Sequence, residues 1–181
     1  QGIWEINTGT ANPDHGPTVW VLFYRALLMS GDTAPIFDLV TSLRRQGVRA
    51  QPFFMASLKS REGRTGFEQA VSEQGDPAVI VTTTAFTVSA SAEMDEGGYF
   101  ARFDVPVIQA FLGSSTEQQW REGTAGLAAR DIVMNAALPE LDGRVLSRAI
   151  SFKSPAQRID RVEWDVVRHQ SVPDRVNFVA E

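Results

Sequence analysis

The sequence contains no cysteine and only two histidines, His15 and His169, among its 181 residues. Without cysteine, disulfide bonds and thiolate metal sites are excluded. Two isolated histidines are too few for a histidine-based metal cage within this chain, and neither has a recognisable partner for a Ser-His-Asp arrangement. We therefore interpret both histidines as surface residues.

Long apolar runs and an excess of positive charge are also missing. The most apolar stretch, 18–29, is interrupted by Arg25 and is too short to span a bilayer, and no signal-peptide pattern opens the chain. The net charge of −5 disfavours a nucleic-acid-binding role, and Arg44, Arg45 and Arg121 fit the solvated surface of helices. We expect a cytoplasmic protein that binds neither a membrane nor a nucleic acid.

The composition is that of an ordinary globular protein, with 43% hydrophobic residues. Residues 1–17 are rich in Asn, Pro and Gly and predict an irregular lead-in. Residues 18–181 are expected to form one α/β domain. Because the chain begins with Gln1 rather than methionine, we expect a processed product or a domain excised from a larger subunit.

Strand and helix signals alternate along the chain. Five apolar or β-branched stretches predict strands, at 18–25, 48–56, 77–86, 105–113 and 144–152. The predicted helix starts are, in chain order, Asp32 or Thr33, a Thr65–Glu68 capping box and a Ser115–Gln118 capping box. Pro52 suggests that the second strand lies at an edge or is kinked. The tail, 161–181, begins as a strand and then becomes amphipathic.

Alternating strands and helices with short connections predict a parallel sheet with right-handed crossovers. The expected architecture is a three-layer α/β sandwich with a mostly parallel, flavodoxin-like or Rossmann-like sheet. Ligands of such sheets bind beyond the carboxyl ends of the strands. That edge is expected to be formed by 25–34, 55–64, 84–98 and 112–117.

Several segments at this edge have both a ligand-binding and a purely structural interpretation. The turn 31–35 can hold an anion or simply cap a helix. The Thr- and Ser-rich stretch 82–91, which includes Phe86, suits the lining of a pocket for a flat ligand with a polar rim, or is a solvated loop. Gln109 and Ser115 lie near the same edge, although capping alone accounts for the serine.

The stretch Pro139-Glu140-Leu141-Asp142-Gly143 places two carboxylates on a short turn stiffened by proline. It is either a connection between a helix and a strand, or a site whose hard oxygens bind a divalent cation or take protons from a nitrogen ligand. The residue types leave both interpretations open.

Three stretches resemble a known family: VWVLFYRALLMSGDTAPIFDLVTSLRRQG, VTTTAF and DVPVIQAFLGSSTEQQWREGTAGLAARDIVMNAALPELDGRVLSRAISFK. They are similar to the large subunits of aerobic cobaltochelatase, which are homologous to the porphyrin-binding H subunits of magnesium chelatase. The motifs FYR, SGDTAPI and ALPELDGR occur in the family's order and at its spacing, and the resemblance extends from Thr18 to the end. Family subunits are much longer, so the chain resembles one internal domain.

The resemblance implies a part in the ATP-dependent insertion of Co²⁺ into a corrin precursor, hydrogenobyrinic acid a,c-diamide. Co²⁺ is the substrate metal, separate AAA+ ATPase subunits hydrolyse ATP, and this domain alone is expected to bind no cofactor and to be inactive. Metallation removes N–H protons from the inner nitrogens of the macrocycle and therefore needs a base.

The family motif assigns metal or proton handling to Glu140, with Asp142 as its companion. The position of other residues at the expected ligand edge makes them candidates for contacts with the macrocycle: Arg25, Thr83, Thr84, Phe86 and Gln109.

Two other functions remain open: a non-catalytic domain that docks the AAA+ motor, and a flavodoxin-like small-molecule-binding module. Proximity of the acidic turn to the TTTAF stretch, 82–86, favours a metallation pocket, whereas opposite edges favour docking. If 128–138 is helical to its end, the turn leads into the amino end of the next strand, away from the ligand edge. If 135–138 is extended, Glu140 faces that edge.

Overall fold

A computed structural model of the chain describes residues 1–88, 98–124, 126–154, 157–159 and 164–181. The serine- and alanine-rich part of the loop expected after the third predicted strand, 89–97, lies outside the described residues, as does the start of the predicted tail, 161–163.

Nine strands are formed within the described residues: β1 Gly2–Ile3, β2 Thr18–Tyr24, β3 Arg49–Met55, β4 Val79–Thr82, β5 Val107–Thr116, β6 Val145–Lys153, β7 Gln157–Ile159, β8 Trp164–Val166 and β9 His169–Ser171. The α-helices of the same residues are α1 Arg25–Ser30, α2 Ala34–Arg45, α3 Arg61–Gln74, α4 Glu117–Glu122, α5 Ala129–Ile132, α6 Leu138–Glu140 and α7 Pro173–Ala180. A 3₁₀ helix spans Tyr99–Phe103, and a π-helical segment, Val133–Ala137, joins α5 to α6.

The strands form a seven-stranded sheet in the order β1-β3-β2-β4-β5-β6-β9, and β7 pairs with β8 in a separate hairpin. The five strands from β3 to β6 are parallel, while β1 and β9 add antiparallel edges. Numbered along the chain, these five parallel strands have the order 2-1-3-4-5, which is the flavodoxin order. The predicted α/β sandwich with a mostly parallel sheet is confirmed.

Each face of the sheet has its own apolar core. On one face Trp20, Phe53 and Phe67 pack together, and Phe67 comes from α3. On the other face the side chains of α2 and α7, including Leu39 and Val176, pack against the sheet. Because both faces are covered, the strand sequences are almost continuously apolar.

The helix predicted to start at Asp32 or Thr33 is confirmed as α2, whereas the other two predicted helix starts are wrong. The helix α3 begins at Arg61 and is capped by Ser60, whose Oγ accepts from Gly63 N at 3.1 Å. The capping box of α4 lies at Thr116 and Gln119, one residue beyond the predicted position, because β5 continues to Thr116. Sequence spacing alone did not distinguish neighbouring hydroxyl residues.

The lead-in 1–17 is more ordered than the sequence suggests. The strand β1 pairs with β3, and Arg44 fastens the lead-in by donating to Ile6 O at 3.0 Å and Thr8 Oγ1 at 3.3 Å. The interpretation of Arg44 as solvated is therefore wrong: it is buried, and burial lowers its pKa.

The ambiguous segment 128–138 is helical to its end. Pro139 has no amide hydrogen to donate to the carbonyl four residues earlier, and the helix preceding it widens into the π-helical segment. The chain then turns through 141–144 into β6.

Candidate functional site

A cleft of about 340 Å³ opens at the carboxyl ends of β2 and β4. The helix α2 connects β2 to β3, and the helix α3 connects β3 to β4. The two helices pack on opposite faces of the sheet. Neighbouring strands with connections on opposite faces create a crevice, which is the usual ligand position in this fold. The described residues that line the cleft are Tyr24, Ser57, Leu58, Lys59, Thr84, Ala85, Phe86, Thr87 and Val88.

Phe86 has an unusual backbone conformation at this cleft. Its φ of 67° lies in the left-handed region, which costs a residue with a bulky side chain about 1–2 kcal/mol. Two contacts hold it there: Phe86 N donates to Met134 O at 2.9 Å, and Phe86 O accepts from Arg144 Nη2 at 3.1 Å. Phe86 is 40% exposed and lines the cleft, so the strained backbone places an aromatic side chain there.

Tyr24 also supports this loop. Its hydroxyl donates to Ala85 O at 3.0 Å. Burial raises the pKa of Tyr24, and the positive charge of Arg144 partly opposes that rise. The phenol is therefore neutral at ordinary pH and acts as a hydrogen-bond donor.

A buried ion pair joins the acidic turn to the loop after β4. Asp142 Oδ2 and Arg144 Nη2 are 2.8 Å apart, and both side chains are 0% exposed. Thr87 Oγ1 donates to Asp142 Oδ1 at 2.5 Å, and Val88 N donates to Asp142 Oδ2 at 2.7 Å.

Arg144 extends the same network into the sheet. Its Nη1 donates to Thr84 O at 2.9 Å and to Gln109 Oε1 at 3.0 Å. Burial lowers the pKa of Arg144, whereas the adjacent Asp142 carboxylate raises it. We call Thr87, Asp142 and Arg144 the clasp.

The clasp corrects one geometric expectation. The helix before the acidic turn continues to Glu140, and the turn leads into the amino end of β6, yet it is not remote from the TTTAF stretch. Thr82, the last residue of β4, pairs in register with Gln109 of β5. Gln109 in turn pairs with Leu146, the second residue of β6. The short β4 thus ends at the height where β6 begins, and the loop after β4 meets the turn before β6.

Glu140 and Asp142 occupy opposite environments although one residue separates them. Asp142 is buried, and its carboxylate accepts from the other two clasp residues, Thr87 and Arg144. Glu140 is the last residue of α6 and is exposed. The turn therefore has a structural carboxylate and a solvent-facing one.

The other residues expected to bind the substrate are distributed unevenly. Thr84 and Phe86 line the cleft. Thr83 is buried, and its hydroxyl donates to Leu22 O at 3.2 Å. Gln109 is 0% exposed, and its Nε2 donates to Thr84 O at 3.1 Å. Arg25 is exposed at the start of α1 and is not part of the cleft lining.

The four segments expected at the ligand edge are likewise not all brought together. Parts of 55–64 and 84–98 line the cleft, and Tyr24, the neighbour of 25–34, joins them. The segment 112–117 instead borders a separate depression near Lys153, because β5 and β6 extend beyond the end of β4. Among the described residues no group of three or more His, Asp or Glu side chains is placed to hold a metal ion. No helix in that part of the chain is long and apolar enough to cross a bilayer.

Sequence reasoning missed the partner of His169. His169 Nδ1 lies 2.8 Å from Asp32 Oδ2, and His169 N donates to Asp32 Oδ1 at 2.9 Å. The pair fastens the loop between α1 and α2 to β9, so His169 is not a free surface residue. No local pattern reveals a pair whose members are 137 residues apart.

Comparisons with known proteins agree with one another. The family model described as CobN/Magnesium Chelatase matches residues 3–181. The chain is 40% identical over 165 residues to the aerobic cobaltochelatase subunit CobN of a Sinorhizobium species, covering 91% of this chain and 13% of that protein. It is 29% identical over 136 residues to the chloroplastic magnesium-chelatase subunit ChlH of Oryza sativa subsp. indica, covering 71% of this chain and 10% of that protein.

A solved structure agrees as well. The catalytic subunit of cobaltochelatase from Mycobacterium tuberculosis superposes with a TM-score of 0.78 at 27% identity, covering 99% of this chain and 15% of that one. This chain therefore corresponds to a small part of these much larger relatives.

Proposed function

This chain belongs to the CobN/magnesium chelatase family, and from that membership we propose that it is the part of a cobaltochelatase large subunit that holds the macrocycle edge and assists metallation. The whole subunit inserts Co²⁺ into hydrogenobyrinic acid a,c-diamide, a step of cobalamin biosynthesis. Separate AAA+ ATPase subunits hydrolyse ATP and drive the cycle. The subunit works in the cytoplasm, and this domain alone is inactive because other groups of the subunit complete the metal site.

One observation carries this proposal: the clasp joins the acidic turn to the loop that lines the cleft at the carboxyl ends of β2 and β4. A docking role for this face predicts that the turn and the loop lie at opposite edges. Their direct contact favours a metallation pocket, because it places a solvent-facing carboxylate and an aromatic cleft wall on one rigid support.

Glu140 is the group that we assign to the chemistry. A corrin loses one N–H proton as the metal enters and a porphyrin loses two, and an exposed carboxylate accepts a proton or contributes an oxygen ligand to the incoming Co²⁺. Metal and proton handling both need a group that reaches the substrate, and Glu140 is exposed. Asp142, which the clasp holds in the interior, serves as a positioning residue for the turn.

The macrocycle is held by the cleft loop. The exposed ring of Phe86 stacks on its flat face, and Thr84 lies beside it in the cleft lining. Thr83 and Gln109 act indirectly, since their polar groups bind Leu22 O and Thr84 O and so shape the loop. Arg25 lies outside the cleft lining and is not part of the proposed site.

The test is Glu140→Gln in the full-length subunit, assayed for cobalt insertion in the presence of the ATPase subunits. Macrocycle binding is measured in parallel. We expect turnover to fall by about 10²–10⁴-fold with binding retained. Glu122→Gln is the matched control, because Glu122 is also an exposed carboxylate at the last residue of a short helix. Unchanged turnover in Glu140→Gln removes this residue from the mechanism.

A further inference from the structure

The mouth of the cleft carries one basic side chain that the proposed function has not used. Lys59 is exposed, and its Nζ lies 5.1 Å from the centroid of the Phe86 ring. It is the only charged side chain in the described lining of the cleft. Arg144, close beneath the same loop, is buried and neutralised by Asp142. A ligand entering the cleft therefore meets a single accessible positive charge on the described lining.

The backbone around Lys59 is held firmly although its side chain is not. Lys59 N donates to Ser57 Oγ at 3.0 Å, and Arg64 Nη1 donates to Lys59 O at 2.9 Å. Beneath this segment, Gly63 packs so closely that a Cβ there would lie 2.1 Å from Ser57 O. The start of the lysine side chain is thus fixed relative to the cleft.

The ammonium group itself retains its hydrogen-bonding capacity. In the ranges that the structure describes, Lys59 forms no ion pair. Its contact with the Phe86 ring is a cation–π interaction, which is weak at an exposed site and uses no carboxylate partner. The three ammonium protons of a lysine suit an anionic oxygen that approaches from the cleft.

An exposed ammonium group over an aromatic ring matches a particular ligand shape. Lys59 Nζ lies over the Phe86 ring, so a flat conjugated macrocycle that stacks on this ring displaces the flexible lysine side chain toward the substituents of its rim. An ionised carboxylate on that rim accepts a charge-assisted hydrogen bond from Lys59, whereas a carboxamide at the same position offers Lys59 only a neutral oxygen acceptor. The cleft therefore distinguishes acidic from amidated rims.

We propose that Lys59 is a specificity-determining residue that selects a macrocycle with a free carboxylate on the edge held by Phe86. The inference rests on the proposed function, since it assumes that the cleft holds a tetrapyrrole. It adds that the cleft recognises a free carboxylate of the substrate and that Lys59 is the residue that binds this carboxylate.

The test measures binding to the full-length subunit of two metal-free porphyrins, one with two propionates and one with the same groups converted to amides. Affinity is read from the absorbance and fluorescence of the porphyrin. We expect the unaltered subunit to prefer the dipropionate by about tenfold, Lys59→Met to lose that preference without weaker binding of the diamide, and Lys59→Arg to keep it. Lys153→Met, which changes the only other lysine of the chain, should retain the preference.

The outcomes separate the two proposals. Hydrogenobyrinic acid a,c-diamide, the proposed substrate, is measured beside the two porphyrins. If the unaltered subunit binds none of the three macrocycles, both the proposed function and the role of Lys59 are overturned. If it binds the corrin but neither porphyrin, the cleft does not take a flat macrocycle, and the role of Lys59 alone is overturned. If it binds both porphyrins equally, or if Lys59→Met keeps the preference, the role of Lys59 alone is overturned. Because Lys59 is exposed, the methionine variant is expected to fold normally, which circular dichroism verifies.

Discussion

Asp142 and Arg144 are two residues apart in sequence and form an ion pair of 2.8 Å with both side chains fully buried. Arg144 also donates to the carbonyls of Thr84 and Phe86. The pair thus connects the acidic turn to a loop from a distant part of the chain, and the cleft loop takes its shape from a motif that follows it in the sequence.

Removal of one partner of this pair is expected to be costly. In Asp142→Ala, Arg144 remains buried without its carboxylate, so we expect a loss of about 3–5 kcal/mol in the free energy of unfolding. Urea unfolding followed by circular dichroism measures it. The control is Glu117→Ala, which breaks the exposed Arg121–Glu117 pair and should cost less than about 1 kcal/mol. Equal losses in the two variants contradict the structural role of the clasp.

The strained backbone of Phe86 gives a comparison between two substitutions. Phe86→Gly and Phe86→Ala both remove the ring, but only glycine adopts a φ of 67° without strain. We expect the glycine variant to be the more stable of the two by about 1 kcal/mol, measured by thermal unfolding.

Both Phe86 variants should bind a porphyrin more weakly than the unaltered subunit, because the stacking face is absent from each. If the alanine variant is as stable as the glycine variant, the backbone of this loop is not strained. Retained porphyrin binding in both variants removes the ring from the binding site.

The two tyrosines should titrate abnormally. Burial raises the pKa of Tyr24, and burial together with Glu68 raises the pKa of Tyr99; these are the only tyrosines of the chain. The folded protein therefore retains phenolic protons that the unfolded chain releases near pH 10. Stability from these groups is complete below that pH and is lost as the pH rises through the folded-state values.

The ultraviolet absorbance of phenolate monitors this titration. We expect the transition in the folded chain to lie above the ordinary tyrosine range near pH 10 and to return to it in urea. Tyr99→Phe isolates the signal of Tyr24. A transition of Tyr24 near pH 10 in the folded protein would contradict its buried environment.

Two glycines of α3 should respond oppositely to the same substitution. In Gly63→Ala the new Cβ would lie 2.1 Å from the backbone oxygen of Ser57, so the segment that lines the cleft must move, at a cost of about 1–3 kcal/mol. In Gly66→Ala the nearest atoms belong to the flexible end of the Gln1 side chain, and alanine improves helix propensity by about 1 kcal/mol.

Thermal unfolding of the two glycine variants provides the test. We expect a lower melting temperature for Gly63→Ala and an unchanged or higher one for Gly66→Ala. Weaker porphyrin binding in the first variant alone would connect the packing of α3 to the cleft. A normal melting temperature for Gly63→Ala is incompatible with the close approach of Ser57.

Much of the fold could be predicted from local patterns. The apolar run of β2 and the helical spacing in α2 reflect burial on both faces of a strand and on one face of a helix. Those patterns are set by the residues themselves, and the alternation of elements then restricts the topology. The wrong helix starts are boundary errors, such as the start of α3 at Arg61, where several nearby residues can cap a helix.

The candidate site could be predicted only in outline. The sequence placed Glu140 and Asp142 on one turn and Phe86 after a buried strand, but the residue types were compatible with both a turn and a site. The pairing of Asp142 with Thr87 and Val88 depends on where β4 ends relative to β6. Strand register is a long-range property that no local spacing contains.

By itself the sequence determined the α/β class, the main elements and the motifs that indicate the family, because hydrophobic periodicity and motif spacing are local properties. Only the tertiary structure decided which carboxylate is buried and which faces solvent. Burial depends on what packs above a residue, and the loop that covers Asp142 comes from a distant part of the chain. The same packing leaves Glu140 exposed.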